Sequence, residues 1–524
     1  MRRDIDKILF PIFLLLVLLL FGSSYCEAEQ RIGKWDLFEL SIKGGKFYDN
    51  PFKDVYLIGE FVHSKSKRTL KIFGFYDGGL IWKIRFMPDE EGEWSYKIYF
   101  SDSSNKTVEG KFVCVPSKIK GPLRVYPKNK IWLSYSDGTP FYMFAFCLGM
   151  VDSLPDLNVL DETLDFIRSY GFNTIVGPHI GISQIPGVSY RAPWINTGEG
   201  LDFSRYDLHF WRNMDKVILA LKKRNMFLIP FSIFGGTNGV PRMPMDEWEN
   251  FIRYWTARWA GFYNVTFQPI SEWEEGFKAE EVMEILQLIR KYDPWKRLIS
   301  VHSWDYSKRA PQICRSLAYD YFTLQDKLTD WNYGKYRNVM EEMRKVAEKP
   351  ILAHECIWEG NIYQKEAGLD VDNLRRGSWT IILSGAYLAY GDDVEPPRKV
   401  GRGGGQPMFS TWGALMKPAG LLYPHLKFMF QVLSSIPWWK MRPYYEIERG
   451  KNVACMASED KTNLIIYLPE GGEAEIKGVS GRFEVRYLDP LSFKEIKKEE
   501  HNSKEGRIRL LTDKETIFIL ERKR

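Results

Sequence analysis

Two glutamates stand at the ends of short apolar runs: Glu272 closes NVTFQPISE (264–272) and Glu355 closes KPILAHE (349–355). A carboxyl group so placed can hand over a proton or attack an electrophilic carbon. Two of them facing one another across a cleft are what glycosidic-bond hydrolysis requires: one protonates the leaving oxygen, and the other attacks the anomeric carbon or activates water. A separation of about 5–5.5 Å implies covalent retention, and a wider one implies inversion. Glu274 and Glu275 follow closely and read as a solvated face or the first turn of the next helix, where acids suit the positive dipole end. The competing reading of Glu272 is a loop acid of the same kind.

Other chemistries are poorly supplied. His354-Glu355 begins an H-E-x-x-H zinc pattern, but position 358 is Trp. The seven histidines (His63, His179, His209, His302, His354, His425, His501) include no pair at helical ligand spacing, so no metal and no other cofactor is expected. Ser–His–Asp and Cys–His catalysis lack a local motif, and Cys356 beside Glu355 reads as packing. Cys114, Cys147, Cys314, Cys356 and Cys455 are scattered without paired spacing, which argues against a disulfide framework.

The elements that must hold these residues lie between 122 and 442, where short apolar runs alternate with helical periodicity. Strands are predicted at 141–149, 173–179, 226–234, 264–271, 297–303, 319–325, 350–355 and 384–391. Helices are predicted at 162–170, 210–224, 245–261, 279–292, 333–347 and 372–383. Eight strands with intervening helices predict an α/β fold, a (β/α)8 TIM barrel. An open doubly wound sheet is the alternative, but the first strand lacks a Gly-rich phosphate turn, and GRGGGQ (401–406) matches no nucleotide motif. In a barrel the chemistry gathers at the C-terminal strand ends. Glu272 and Glu355 end the fourth and seventh predicted strands, on opposite sides of the mouth. His179, His302 and Gln325 end the second, fifth and sixth, where they can orient a carboxylate, bind hydroxyls or serve as satisfied structural groups. Trp273, Trp304, Trp358 and Trp412 follow the fourth, fifth, seventh and eighth; two of these four rings are expected as platforms for the apolar faces of sugars. Asp392 and Asp393 can bind hydroxyls or be plain loop acids.

The flanks read differently. Residues 34–118 alternate with period two between Gly-rich turns, predicting an immunoglobulin-like β-sandwich in which FMPDEEGEWSYKIYF (86–100) is a hairpin and Trp94 a core anchor. Residues 443–524 predict a C-terminal β-sandwich with strands in NLIIYLPE, AEIKGV, FEVRYLD, RIRLLTD and ETIFILE. Residues 1–28 carry a cationic head and a 14-residue apolar stretch, ILFPIFLLLVLLLF, before a small polar tail. This reads as a signal peptide, so the protein is expected to be secreted or extracellular. The alternative is an uncleaved N-terminal segment anchoring it in the membrane at the cell surface; Cys26 also raises a lipid anchor, although Tyr25 before it fits poorly. At 524 residues the chain exceeds a single core. Its 73 basic and 67 acidic residues are dispersed without a basic stripe, which excludes nucleic acid as a partner, whereas aromatics at 15% suit a carbohydrate.

NVTFQPISE resembles the fourth-strand motif of clan A glycoside hydrolases, and KPILAHE resembles their seventh. The order of modules, the F-x-P…G-x-W-x-Y pattern (Phe86, Pro88, Gly92, Trp94, Tyr96) and Tyr390-Gly391 with Trp412 are similar to the apiosidase-like family of that clan, which carries an N-terminal immunoglobulin-like domain and a C-terminal sandwich of collagen-binding type. The resemblance implies a hydrolase of poly- or oligosaccharides with Glu272 as acid/base, Glu355 as nucleophile and Tyr390 at the substrate. One position departs from the family. Ser271 stands where the clan has an Asn whose amide meets the sugar 2-hydroxyl, so that contact falls to water or another side chain, the substrate differs there, or activity is lost. The alternative function is a non-catalytic carbohydrate-binding or cell-surface protein with a degenerate barrel, and a third reading gives polymer binding to the sandwiches. Sugar, linkage, endo or exo action and oligomeric state stay open.

Overall fold

The computed structural model describes residues 30–523 apart from 105, 181–191, 238–239, 304–310, 327–333, 361–363, 365–366, 393–419 and 451. The expected signal peptide, Trp304, Asp393, the GRGGGQ run and Trp412 lie outside the described residues. No helix among the described residues is long and apolar enough to cross a membrane.

Period-two alternation in the first hundred residues produces two sheets with their apolar faces together. Strands 31–33, 108–115, 92–100, 57–63 and 69–73 form one, and 38–43, 81–86 and 75–76 the other. Phe61 of the larger sheet stacks on Phe86 of the smaller with centroids 4.1 Å apart. Trp94 is fully buried, its indole N–H donating to the Glu90 carbonyl at 2.9 Å. The expected hairpin at 86–100 is not formed. Phe86 ends a strand paired with 38–43, while Gly92 begins one paired with 57–63 and 108–115, so the linker crosses between sheets. Alternation fixes which face of a strand is buried but not its neighbour, and a crossover reads like a hairpin.

Seven parallel strands follow in the spatial order 227–229, 174–176, 144–147, 387–392, 351–359, 322–324, 302–303. Their side chains are buried on both faces, as a parallel sheet covered by helices demands. Helices Leu160–Ser169, Leu208–Lys223, Met245–Trp259, Ala279–Tyr292, Gly334–Val346 and Val371–Leu383 lie where helical periodicity predicts them. Asp207 caps the second, accepting the His209 N–H at 2.8 Å, and Phe210, Met214, Val217, Ile218 and Leu221 give it one buried face. Helix Tyr423–Ser434 and the hairpin 194–206 were not predicted.

The run 264–270 forms no ladder, but it bridges Leu228 with Val265 and Phe267 with Ile299, both in parallel sense. It therefore touches the chain at both edges of the seven-stranded sheet. The sheet is strongly curved: Phe231, just past one edge strand, packs on His302 of the other with ring centroids 5.1 Å apart.

The last eighty residues make a six-stranded antiparallel sheet in the order 441–443, 454–458, 463–468, 516–522, 482–489, 494–502, with a three-stranded sheet of 447–448, 472–477 and 507–512. All five predicted strands form; 441–443, 447–448, 454–458 and 494–502 are additional. Buried charges fasten both flanks to the middle. Asp215 of helix 208–223 receives Arg85 of the N-terminal sheets at 2.8 and 3.0 Å and Arg258 of helix 245–259 at 2.9 Å. Arg375 of helix 371–383 meets Glu515 in the C-terminal sheets at 2.6 and 2.9 Å.

Candidate active site

Strand ends on one face of the parallel sheet carry most of the residues singled out above. Glu272 terminates 264–270 with φ 44° and ψ 52°, a left-handed backbone, and its carbonyl accepts the Glu275 N–H at 2.9 Å to start the short 3-10 turn 273–275. Glu355 also lies in the left-handed region, at φ 53°. It sits in a bulge: Ala353 pairs with Leu388 and Ile357 with Tyr390, so four steps on strand 351–359 answer two on its neighbour. A bulge re-aims the side chain at its apex. Non-glycine residues in this region cost of order 1–3 kcal/mol and cluster at functional sites. Glu272 is half-buried and Glu355 is 5% exposed.

Ser271 is fully buried. Its hydroxyl donates to Ser232 Oγ at 2.9 Å and pairs with Thr237 Oγ1 at 3.1 Å. Both partners belong to the loop after strand 227–229, and Ser232 is itself left-handed at φ 63°. The two loops pack backbone to backbone: a Cβ on Gly276 would fall 1.9 Å from the Gly236 carbonyl oxygen. Phe234 N–H donates to the Pro269 carbonyl at 3.0 Å. Glu272 thus stands on a loop pinned to its neighbour.

Glu274 departs from expectation. It is half-buried and accepts a hydrogen bond from the Ser303 hydroxyl, whereas Glu275 is exposed. The 3-10 turn rotates Glu274 back toward the strand ends, which spacing alone does not reveal. Trp273 is 5% and Trp358 1% exposed, and Trp358 covers the Gly391 backbone so closely that a Cβ there would meet the indole at 2.3 Å. Tyr390 donates to Glu359 Oε2 at 2.8 Å, and Asp392 accepts from Tyr423 at 2.8 Å. Glu359 also receives the Leu421 and Leu422 N–H groups at 2.7 and 3.0 Å, at the start of helix 423–434. Gln325 is half-buried, its N–H donating to the Ser303 carbonyl at 3.2 Å.

The histidines converge. His179 packs on Phe231 with centroids 4.8 Å apart, and Phe231 also meets His354 at 4.9 Å. His302 and His354 lie 4.7 Å apart, and ligating atoms of His302, His354 and Glu355 all fall within 4.8 Å of one another. All three are buried. Local spacing could not find this group, because His302 sits on a different strand from His354 and Glu355. Burial pushes the Cys356 thiol well above its ordinary range, and its Sγ lies 3.5 Å from the Leu324 carbonyl, in keeping with packing.

This frame has relatives. Residues 127–440 match the model of the apiosidase-like catalytic domain, and residues 31–101 match a domain of unknown function, DUF5060. The chain belongs to the apiosidase-like family, and as an enzyme it is a glycoside hydrolase. Among solved structures it is similar to a candidate glycoside hydrolase from Bacteroides vulgatus ATCC 8482, with TM-score 0.73 and 19% identity over 94% of this chain and 100% of that one. A family 5 glycoside hydrolase from the same organism gives TM-score 0.60 and 16% identity over 77% of this chain and 94% of that one. Another, described as a glycoside hydrolase, gives 0.61 and 16% over 77% and 97%. No curated protein matches.

Proposed function

We propose that the chain is an exported, retaining glycoside hydrolase of poly- or oligosaccharides in which Glu272 is the general acid/base and Glu355 the nucleophile. The observation that carries this reading is that both glutamates combine a strand-end position with a left-handed backbone, Glu355 within a bulge that re-aims its side chain. In the first step Glu355 attacks the anomeric carbon as the glycosidic C–O bond breaks, and Glu272 gives its proton to the leaving oxygen. In the second, Glu272 takes a proton from water, which displaces Glu355 and frees the sugar.

The barrel in this proposal is a closed (β/α)8 ring, with 264–270 as its missing stave. Its parallel bridges to both sheet edges and the Phe231–His302 contact support closure. We take 34–118, 122–442 and 443–524 as three modules, with the leader directing export. Wild type and Glu355→Gln, assayed on a panel of polysaccharides for both binding and reducing-end release, test the function. Release by wild type alone supports it; binding without release by either protein would mark a carbohydrate-binding protein instead.

A further inference from the structure

His302, His354 and Glu355 bring two imidazoles and a carboxylate together from two strands of one sheet, with ligating atoms mutually within 4.8 Å. We infer that they form a binding site for a first-row divalent cation of the zinc class, and that the bound ion inhibits the enzyme by occupying the Glu355 carboxylate. The inhibitory half rests on the role proposed for Glu355; the site itself does not.

The donor set carries the choice of ion. Two histidine nitrogens and one glutamate oxygen are a recurrent zinc set, and with bonds of about 2.0–2.2 Å the ligand atoms around one ion lie about 3–4 Å apart. An ion would draw these donor atoms, now within 4.8 Å of one another, closer together. Magnesium and calcium prefer all-oxygen shells and are disfavoured here. The rings are already ordered: Phe231 lies edge-on to both, at 5.1 Å from His302 and 4.9 Å from His354, and the imidazoles meet each other at 65°. Exposures of 0%, 1% and 5% place the three in a low-dielectric interior, where attraction to a cation is strong. The same feature that presents the carboxylate, the bulge at Glu355, sets it against His302 across the intervening strand 322–324.

Binding of zinc chloride to the mature full-length chain, measured by calorimetry and equilibrium dialysis after EDTA treatment, tests the site. One zinc ion per chain is expected in wild type. His302→Ala and His354→Ala should each weaken it by more than about tenfold, and a His209→Ala control should not. Cobalt titrated into wild type, with magnesium as the negative control, reads the site without relying on any variant's folding: a visible absorption band of tetrahedral or five-coordinate cobalt is expected. Unchanged zinc affinity in both histidine variants, or cobalt with only the spectrum of the hydrated ion, would overturn the site. In activity assays zinc should inhibit wild type and EDTA should restore it. Histidine-dependent zinc binding that leaves activity intact keeps the site and overturns the inhibition, while the role of Glu355 is read separately from Glu355→Gln.

Discussion

Ser271 Oγ donates to Ser232 Oγ at 2.9 Å, and with its one proton so committed it accepts from Thr237 at 3.1 Å. The residue preceding the proposed acid/base therefore ties two loops together. Ser271→Ala should cost about 1 kcal/mol from the lost bonds and lower kcat with little change in KM, because Glu272 loses its brace. Ser271→Asn adds bulk at a site with no exposure and should destabilise by about 1–3 kcal/mol. Denaturant titrations and steady-state kinetics check both. A gain of activity in the Asn variant would refute the tether.

The two glutamates should separate by rescue chemistry. Glu355→Gln and Glu272→Ala should each lose more than about 10²-fold in kcat while keeping wild-type melting behaviour. Azide should restore turnover on activated substrates in variants of either residue that leave room for it, such as Glu355→Ala. The glycosyl azide should have inverted configuration from the nucleophile variant and retained configuration from the acid/base variant. NMR of the product anomer decides the assignment.

Asp215 anchors the N-terminal sheets. Burial raises its pKa, but Arg85 and Arg258 outweigh burial and hold the carboxyl below the ordinary 3.8. A depressed carboxylate stabilises the fold fully above 3.8 and loses that contribution as pH falls from there toward the folded value. Asp215→Ala leaves two buried guanidinium groups short of a partner and should cost about 3–5 kcal/mol at neutral pH. It should also remove part of the acid sensitivity below about pH 4, as denaturant titrations over a pH series would reveal.

Lys349 opens the run that ends in Glu355. Burial lowers its pKa from 10.5 to about 8, even though its ammonium donates to the Ser316 carbonyl at 2.7 Å and to that of Tyr319. Between about 8 and 10.5 the unfolded chain holds more protons at this site than the folded one. Stability should therefore rise with pH through that window, and the rise should shrink in Lys349→Met. Thermal melts from neutral to alkaline pH test the sign.

Helices were the most legible elements. Helix 279–292 was read to the residue, because AEEVMEILQLIRKY buries Val282, Ile285, Leu286 and Ile289 on one stripe and Glu281 accepts the Lys278 N–H at 2.7 Å. Glu272 and Glu355 stand out because they end apolar runs within the segment where strands alternate with helices, at the strand ends where barrel chemistry gathers. Strand pairing was not legible: PDEEGEW gave no sign that Phe86 and Trp94 enter different sheets. The strand KEIKKEEHN (494–502) carries no strand signal in its sequence because charges fall on both its faces. His302 and His354 lie far apart in sequence, and the order of strands, with 302–303 and 351–359 flanking 322–324, brings them together. The partners of Ser271 were hidden for the same reason, since Ser232 sits on another loop.

Strand 494–502 also bears on how the protein behaves at high concentration. Lys494–Asn502 is the free border of the six-stranded sheet, where an open row of backbone amides could recruit another chain. Lys494, Lys497 and Lys498 line that border, and Lys498 meets Glu484 of the adjoining strand at 2.6 Å. Glu495, Glu499 and Glu500 are interspersed with these lysines and Lys497 meets Glu499 at 2.6 Å, so a second strand docking there would have to desolvate a row of paired charges, which discourages edge-to-edge fibre growth.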